Sequence, residues 1–209
     1  MINMENTTNQ IISYLTLRTF IGIIGVILPI ILPIGVLIVG SNTVFQNSIS
    51  DYYDTEMRNF FVGFLFVLAF YLFSYKGYDN DSLYANLGGV FALFTALFPV
   101  TSTSSAIRTI HLVAASLLFA VFAYFSLVIF RKGVAIAQQT TMKKKRNKIY
   151  LYCGIIIITA IILGGLSLVI DRVASYKYNL LFWGETIALW AFGYSWLVKG
   201  ELFWKDIKN

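Results

Sequence analysis

Apolar stretches of about twenty residues recur along the whole chain, at 19–40, 59–75, 84–100, 109–130, 149–170 and 179–198. A helix that crosses the roughly 30 Å hydrocarbon core of a bilayer needs about that length. Backbone polar groups inside lipid must be satisfied within the segment, and a helix does this by itself. The pattern therefore predicts an all-α polytopic membrane bundle of six transmembrane helices in a single domain, 1–209. Only 12% of the 209 residues are charged and 58% are hydrophobic, where a soluble domain carries about a quarter charged residues. The first run is long enough to span and no small-x-small cleavage site follows it, so it is read as a retained helix and not a signal peptide.

Charge sets the expected direction. If the N-terminus, the loops at 76–83 and 131–148 and the C-terminal tail face the cytoplasm, they carry 12 of the 16 Lys and Arg residues. Arg58, Arg108, Arg172 and Lys177 are then left on the other face. That bias, led by Lys143-Lys-Lys-Arg146, places both termini in the cytoplasm of an inner-membrane protein. The net charge of +6 is thus explained by topology and anionic lipid, with no nucleic-acid partner needed. The helices expected to run inward end on Lys76-Gly77, Lys132-Gly133 and Lys199-Gly200. Each base opposes the negative end of the helix dipole, and each glycine is expected to adopt the left-handed stop. Small-residue stripes (Gly88, Ala92 and Ala96; Gly184, Ala188 and Ala191) are expected at helix contacts, with Ala115, Phe119 and Phe122 forming one face of the fourth helix. Pro29 and Pro33 are expected to kink the first helix or break its ladder.

Candidate chemistry lies where polar groups fall at membrane depth, because such groups are costly there. Glu185 stands in the last apolar run, and His111, the single histidine, stands near the start of the fourth, one turn after Arg108. On the same expected face lies SISDYYDTEMRNFF (48–61), with Asp51, Tyr52, Asp54 and Arg58. Two readings stand for this stretch: a helix cap at Ser50 or Asp51 with an aromatic belt and an Asp54–Arg58 pair, or membership of a site with His111 and Glu185. Likewise, His111 and Glu185 either pair with each other, or with Arg108, as interhelical glue, or line a pocket.

One histidine leaves a zinc site short of ligands, and the lone Cys153 excludes disulfides and thiolate redox pairs within the chain. No phosphate-binding loop or nucleophile elbow is present, so no metal or cofactor is assigned. The residues support a pocket of Asp51, Tyr52, Asp54, Arg58, Arg108, His111 and Glu185 for a lipid headgroup or small polar ligand. Membrane lipids are the expected partners, and the oligomeric state is left open. The alternatives are a membrane-embedded lipid hydrolase or transferase using His111 with a carboxylate, and a small proton-coupled transporter using Glu185.

Three blocks, SISDYYDTEMRNFFVGFLF…LFSYKGYD…ALFP (48–99), the helix that opens on His111, and ETIALWAFGYSWLVKGE (185–201), carry a resemblance. They resemble a family of uncharacterised bacterial six-helix membrane proteins, grouped as a domain of unknown function. The Ser-Asp loop after the first helix and the His at the start of the fourth are more loosely similar to DRAM and FRAG-type membrane proteins, which are linked to lipid handling. A still looser likeness is to the CREST membrane hydrolases. The chain departs from those at Asp54, where a histidine would be wanted, and in having no second histidine. The resemblance implies a six-helix fold and a site around these blocks, without an established activity.

Overall fold

The computed structural model describes residues 14–40, 43–76, 81–133 and 139–204. They form seven α-helices: α1 (Tyr14–Val39), α2 (Arg58–Phe73), α3 (Asp81–Leu97), α4 (Ser105–Leu127), α5 (Thr141–Ile170), α6 (Arg172–Lys177) and α7 (Leu180–Lys199). Every apolar run picked out in the sequence falls on one of them; the short α6 was not foreseen. Three helices, α1, α4 with its following turn, and α5, are long and apolar enough to cross a membrane by themselves. At 1.5 Å per residue, α3 reaches only about 25 Å, and it opens on the buried Asp81.

Six helices pack as a closed ring in the order α1, α2, α3, α4, α5, α7 and back to α1, with α4 also touching α7 across it. Neighbours run antiparallel. Gly22 of α1 faces Gly193 of α7, Leu127 of α4 faces Gly154 of α5, and Phe73 of α2 faces Gly89 of α3. Large apolar side chains are exposed all around the outside of α1 and α5, including Ile34, Leu37, Ile155, Ile162 and Leu163. A surface of that kind suits lipid contact.

Helix α7 is gripped on two sides at backbone distance. A Cβ on Gly193 would lie 2.6 Å from the Gly22 carbonyl oxygen, and one on Gly184 would lie 2.7 Å from that of Ala160 in α5. Close approach of this kind replaces the hydrophobic drive that lipid does not supply. The expected stripes also turn inward, with Ala92, Ala96 and Ala188 fully buried and Ala191 nearly so.

Several expectations are corrected. The tetrabasic run is not in a loop: Lys143–Arg146 belongs to the first turns of α5, whose start is capped by Thr140 Oγ1 accepting from Lys143 N at 3.0 Å. Lys and Arg are good helix formers once such a cap starts the helix. Gly200 follows α7 with φ −76°, so it is not a left-handed stop; Glu201 takes the positive φ instead. A Cβ on Gly200 would sit 2.7 Å from Thr19 Oγ1 and 3.1 Å from Thr19 N, so close packing on α1 is what demands a glycine. Gly133 does have a positive φ, 119°, whereas Gly77 lies outside the described residues. Lys132, beyond the end of α4, also pairs with Asp81 Oδ1 at 2.6 Å. Helix α1 continues through Pro29 and Pro33, which have no N–H to give to its ladder, and Trp190 Nε1 donates to the Val26 carbonyl in the proline turn at 3.2 Å.

Replacing Gly193 by Ala is expected to cost roughly 1–3 kcal/mol, the usual effect of overpacking. Gly165→Ala, which meets nothing within 4 Å, should leave stability nearly unchanged. Unfolding of both variants in detergent, followed by helicity, checks this.

Candidate functional site

Between α1 and α2 the chain does not simply turn around. After Thr43 it folds back into the end of the bundle, so that Ser48, Ile49, Ser50 and Tyr52 are buried. Residues Ser50–Asp54 form a short 3-10 turn. Buried backbone outside regular helix needs partners, and the neighbouring helices supply them. The Asn47 carbonyl accepts from Phe182 N at 2.9 Å, and Ile49 N donates to Glu185 Oε2 at 2.6 Å. Tyr52 hydroxyl donates to the Val44 carbonyl at 2.8 Å, and its ring lies against Phe182.

The same segment reaches α4. Ser50 Oγ is 2.9 Å from His111 Nε2, and His111 Nδ1 is 2.6 Å from the Phe98 carbonyl oxygen. A carbonyl can only accept, so Nδ1 carries the proton, and Nε2 of the neutral ring then accepts from the Ser50 hydroxyl. His111 and Glu185 therefore do not bond to each other. Adjacent residues of one re-entrant segment, Ser50 and Ile49, tie one to α4 and the other to α7.

Ser50 and Glu185 line a cavity between α1, α2, α3, α4 and α7, together with Thr95 and an apolar wall that includes Leu28, Phe61, Leu65 and Phe119. The centre of a water molecule has about 40 Å³ to move in, room for a few waters or a group of that size. Thr95 Oγ1 donates to its own helix at the Phe91 carbonyl. The Ser50 and Glu185 oxygens are thus the polar atoms best placed to meet a guest.

The seven sequence candidates divide. Tyr52, His111 and Glu185 gather at this end of the bundle with Asp51 beside them. Of the seven, Glu185 lines the cavity and the other six do not, and Asp54, Arg58 and Arg108 are exposed. Arg58 donates to the Tyr53 hydroxyl and lies over its ring, 4.1 Å from the centroid. It forms no ion pair with Asp54 among the described residues. Nor do Ser50 or Asp51 cap α2, which begins at Arg58 after Met57 with no side-chain cap bond. The 3-10 turn intervenes and leaves both residues well ahead of the cap position at Met57. Sequence reasoning gave Ser50 a capping role at most. The signal for its part in the site was that a lone histidine at membrane depth must have a hydrogen-bonding partner on another segment.

Outside the long helices, burial pushes the Asp51 carboxyl above its ordinary 3.8 and hydrogen bonding from Ser48 opposes the rise; burial pushes the Tyr52 hydroxyl up to about 12. Among the described residues no three His, Cys, Asp or Glu side chains come together as a metal-binding set. No protein-family model matches the chain, and no curated protein and no solved structure is significantly similar to it.

Folding favours the neutral form of Asp51, so its contribution is full below pH 3.8 and is lost as pH rises through the higher folded value. Asp51→Asn, neutral throughout, should unfold at a higher temperature than wild type at pH 7. The gap should close as pH falls toward 4. Thermal scans of both proteins over that range test the sign.

Proposed function

We propose that the protein is a six-span inner-membrane protein, both termini cytoplasmic, whose pocket beside the re-entrant 43–57 segment binds the polar end of a lipid or a small polar ligand. The six apolar runs and the distribution of Lys and Arg support the topology. Membership of the six-helix family of uncharacterised bacterial membrane proteins is part of the same reading and rests on the three blocks quoted above.

The observation that carries the ligand-binding reading is the cavity itself. Its walls are apolar side chains from five helices, and the Glu185 carboxyl and Ser50 hydroxyl meet it at the end where the chain re-enters. Pockets for small molecules have this composition, mostly apolar with a few polar groups that fix orientation. The guest would present one hydrogen-bonding function to Ser50 and Glu185 and leave its apolar part among Leu and Phe side chains. Asp54, Arg58 and Arg108 would then act at the surface, meeting headgroups, and not inside the pocket.

Mass spectrometry of molecules that copurify with the full chain tests the reading. Leu68→Trp fills the cavity from α2, and Glu185→Gln keeps the size of the side chain while changing its hydrogen bonding. A species held by wild type should fall at least several-fold in both variants. An unchanged profile in Leu68→Trp would remove the pocket from the proposal.

The Ser50–His111 contact favours a second reading, acyl transfer, with serine as the partner of His111 where a carboxylate was expected. In that chemistry Ser50 Oγ bonds to an ester carbonyl carbon while its proton passes to His111 Nε2 and on to the departing alcohol. Water then hydrolyses the acyl-serine. The Phe98 carbonyl holds the imidazole in the required tautomer. A fluorophosphonate probe should label wild type and spare Ser50→Ala; equal labelling of the two, or none, rejects this reading.

A further inference from the structure

The opposite end of the bundle gathers positive charge around an aromatic floor. Phe130, Tyr75, Tyr150 and Trp196 are almost completely buried there. The Phe130 ring lies 5.0 Å from Trp196 and 5.4 Å from Tyr150, and Trp196 lies 5.3 Å from Tyr75. Cations approach this floor from three helices. Arg18 of α1 stands 4.4 Å above the Tyr14 ring and 5.8 Å from that of Tyr75. Lys199 of α7 is 5.4 Å from the Phe130 ring, and Lys143 of α5 donates to the Phe130 carbonyl at 3.2 Å. Burial first, and then the nearby charges of Lys143, Arg18 and Arg146, disfavour the charged form of Lys199.

Among the described residues, negative charge is scarce at the same place. Asp81, the acid that acts on Lys199, is already paired with Lys132 at 2.6 Å, and Glu201 is exposed. Neither Arg18 nor Lys199 forms an ion pair among the described residues. Two donors in the nest, Arg18 Nε and Trp196 Nε1, are buried without a hydrogen-bond partner. Clustered cations and unpaired buried donors are costly unless something anionic meets them.

We propose that this end of the bundle binds a phosphate-bearing anion, held by Arg18 and Lys199 above the floor of Tyr75, Trp196 and Phe130. A guanidinium matches two phosphate oxygens at once, and the lysine adds a point charge. The phosphate of an anionic lipid and free phosphate share this chemistry. The site is separate from the Ser50–Glu185 cavity, and its test does not depend on that reading.

The test follows thermal unfolding of the full chain in neutral detergent with phosphatidylglycerol, phosphatidylcholine or inorganic phosphate added. Phosphatidylglycerol should raise the midpoint of wild type by several degrees, well beyond the effect of phosphatidylcholine. Arg18→Gln combined with Lys199→Gln should abolish the shift, while Lys144→Gln, which removes an exposed charge from the first turns of α5, should keep it. A shift produced equally by inorganic phosphate, and lost in the double variant, identifies free phosphate as the ligand and supports the site. A shift of the same size in all three proteins, or no shift with any additive, overturns the proposal. If the double variant does not fold, Lys199→Met alone should need at least tenfold more phosphatidylglycerol for half its effect, and an unchanged requirement overturns the proposal equally.

Discussion

The bond from Ile49 N–H to the Glu185 carboxylate oxygen, 2.6 Å long, is the constraint on which this end of the molecule depends. A chain that leaves helical conformation inside an apolar bundle carries backbone donors that lipid cannot satisfy. Here one carboxyl oxygen from α7 takes the donor, and the rest of the segment follows from being anchored there. Ser50 is delivered to His111, Tyr52 is buried against Phe182, and the cavity acquires a polar wall. The Asn47–Phe182 and Ser50–His111 bonds and the Tyr52–Phe182 contact hold the 43–57 segment in the bundle beside that anchor.

The anchor needs α7 to be rigidly placed, and the glycines do this. Gly193 against Gly22 and Gly184 against Ala160 let α7 approach α1 and α5 at backbone distance. Further along, the Phe192 ring stacks on Phe122 of α4 at 3.7 Å. The helix that presents Glu185 is thereby held on three sides, so the carboxyl occupies one position relative to α4. At its far end the same helix delivers Trp196 and Lys199 to the aromatic floor. One well-packed helix thus organises a polar site at one end and a cationic one at the other.

The two ends differ in a way that suits a membrane protein. At the re-entrant end, polar groups are matched within the protein, by Ile49 with Glu185 and by Ser50 and Phe98 with His111. At the basic end Asp81 is paired with Lys132, Lys143 and Arg146 donate to the Phe130 and Trp204 carbonyls, and Arg18 and Lys199 stand over aromatic rings. Cation–π contact lowers the cost of holding a cation beside apolar side chains. It does not neutralise the charge, which leaves the attraction for an external anion in place.

Helical class and the position of every long helix were legible in the sequence, because a run of about twenty apolar residues has one economical conformation in lipid. The small-residue stripes were legible for the same reason, as helix spacing in lipid is set by side-chain size. His111 and Glu185 also declared themselves, since polar groups at membrane depth need partners. Their partners did not. Ser50 and Ile49 lie more than 60 and 130 residues away respectively, and Ile49 contributes a backbone N–H that no side-chain pattern records. Charge alone grouped Arg58, Arg108 and Asp54 with the site. The fold leaves them exposed outside the cavity, Asp54 and Arg58 because a 3-10 turn at 50–54 delays α2 until Arg58, and Arg108 on the exposed first turn of α4. Lys132 pairing with Asp81, and α5 beginning before the tetrabasic run, were likewise decided by tertiary contacts and by the Thr140 cap. Length and hydropathy determined which segments became helices; the meeting of unpaired donors and acceptors decided which residues share a site.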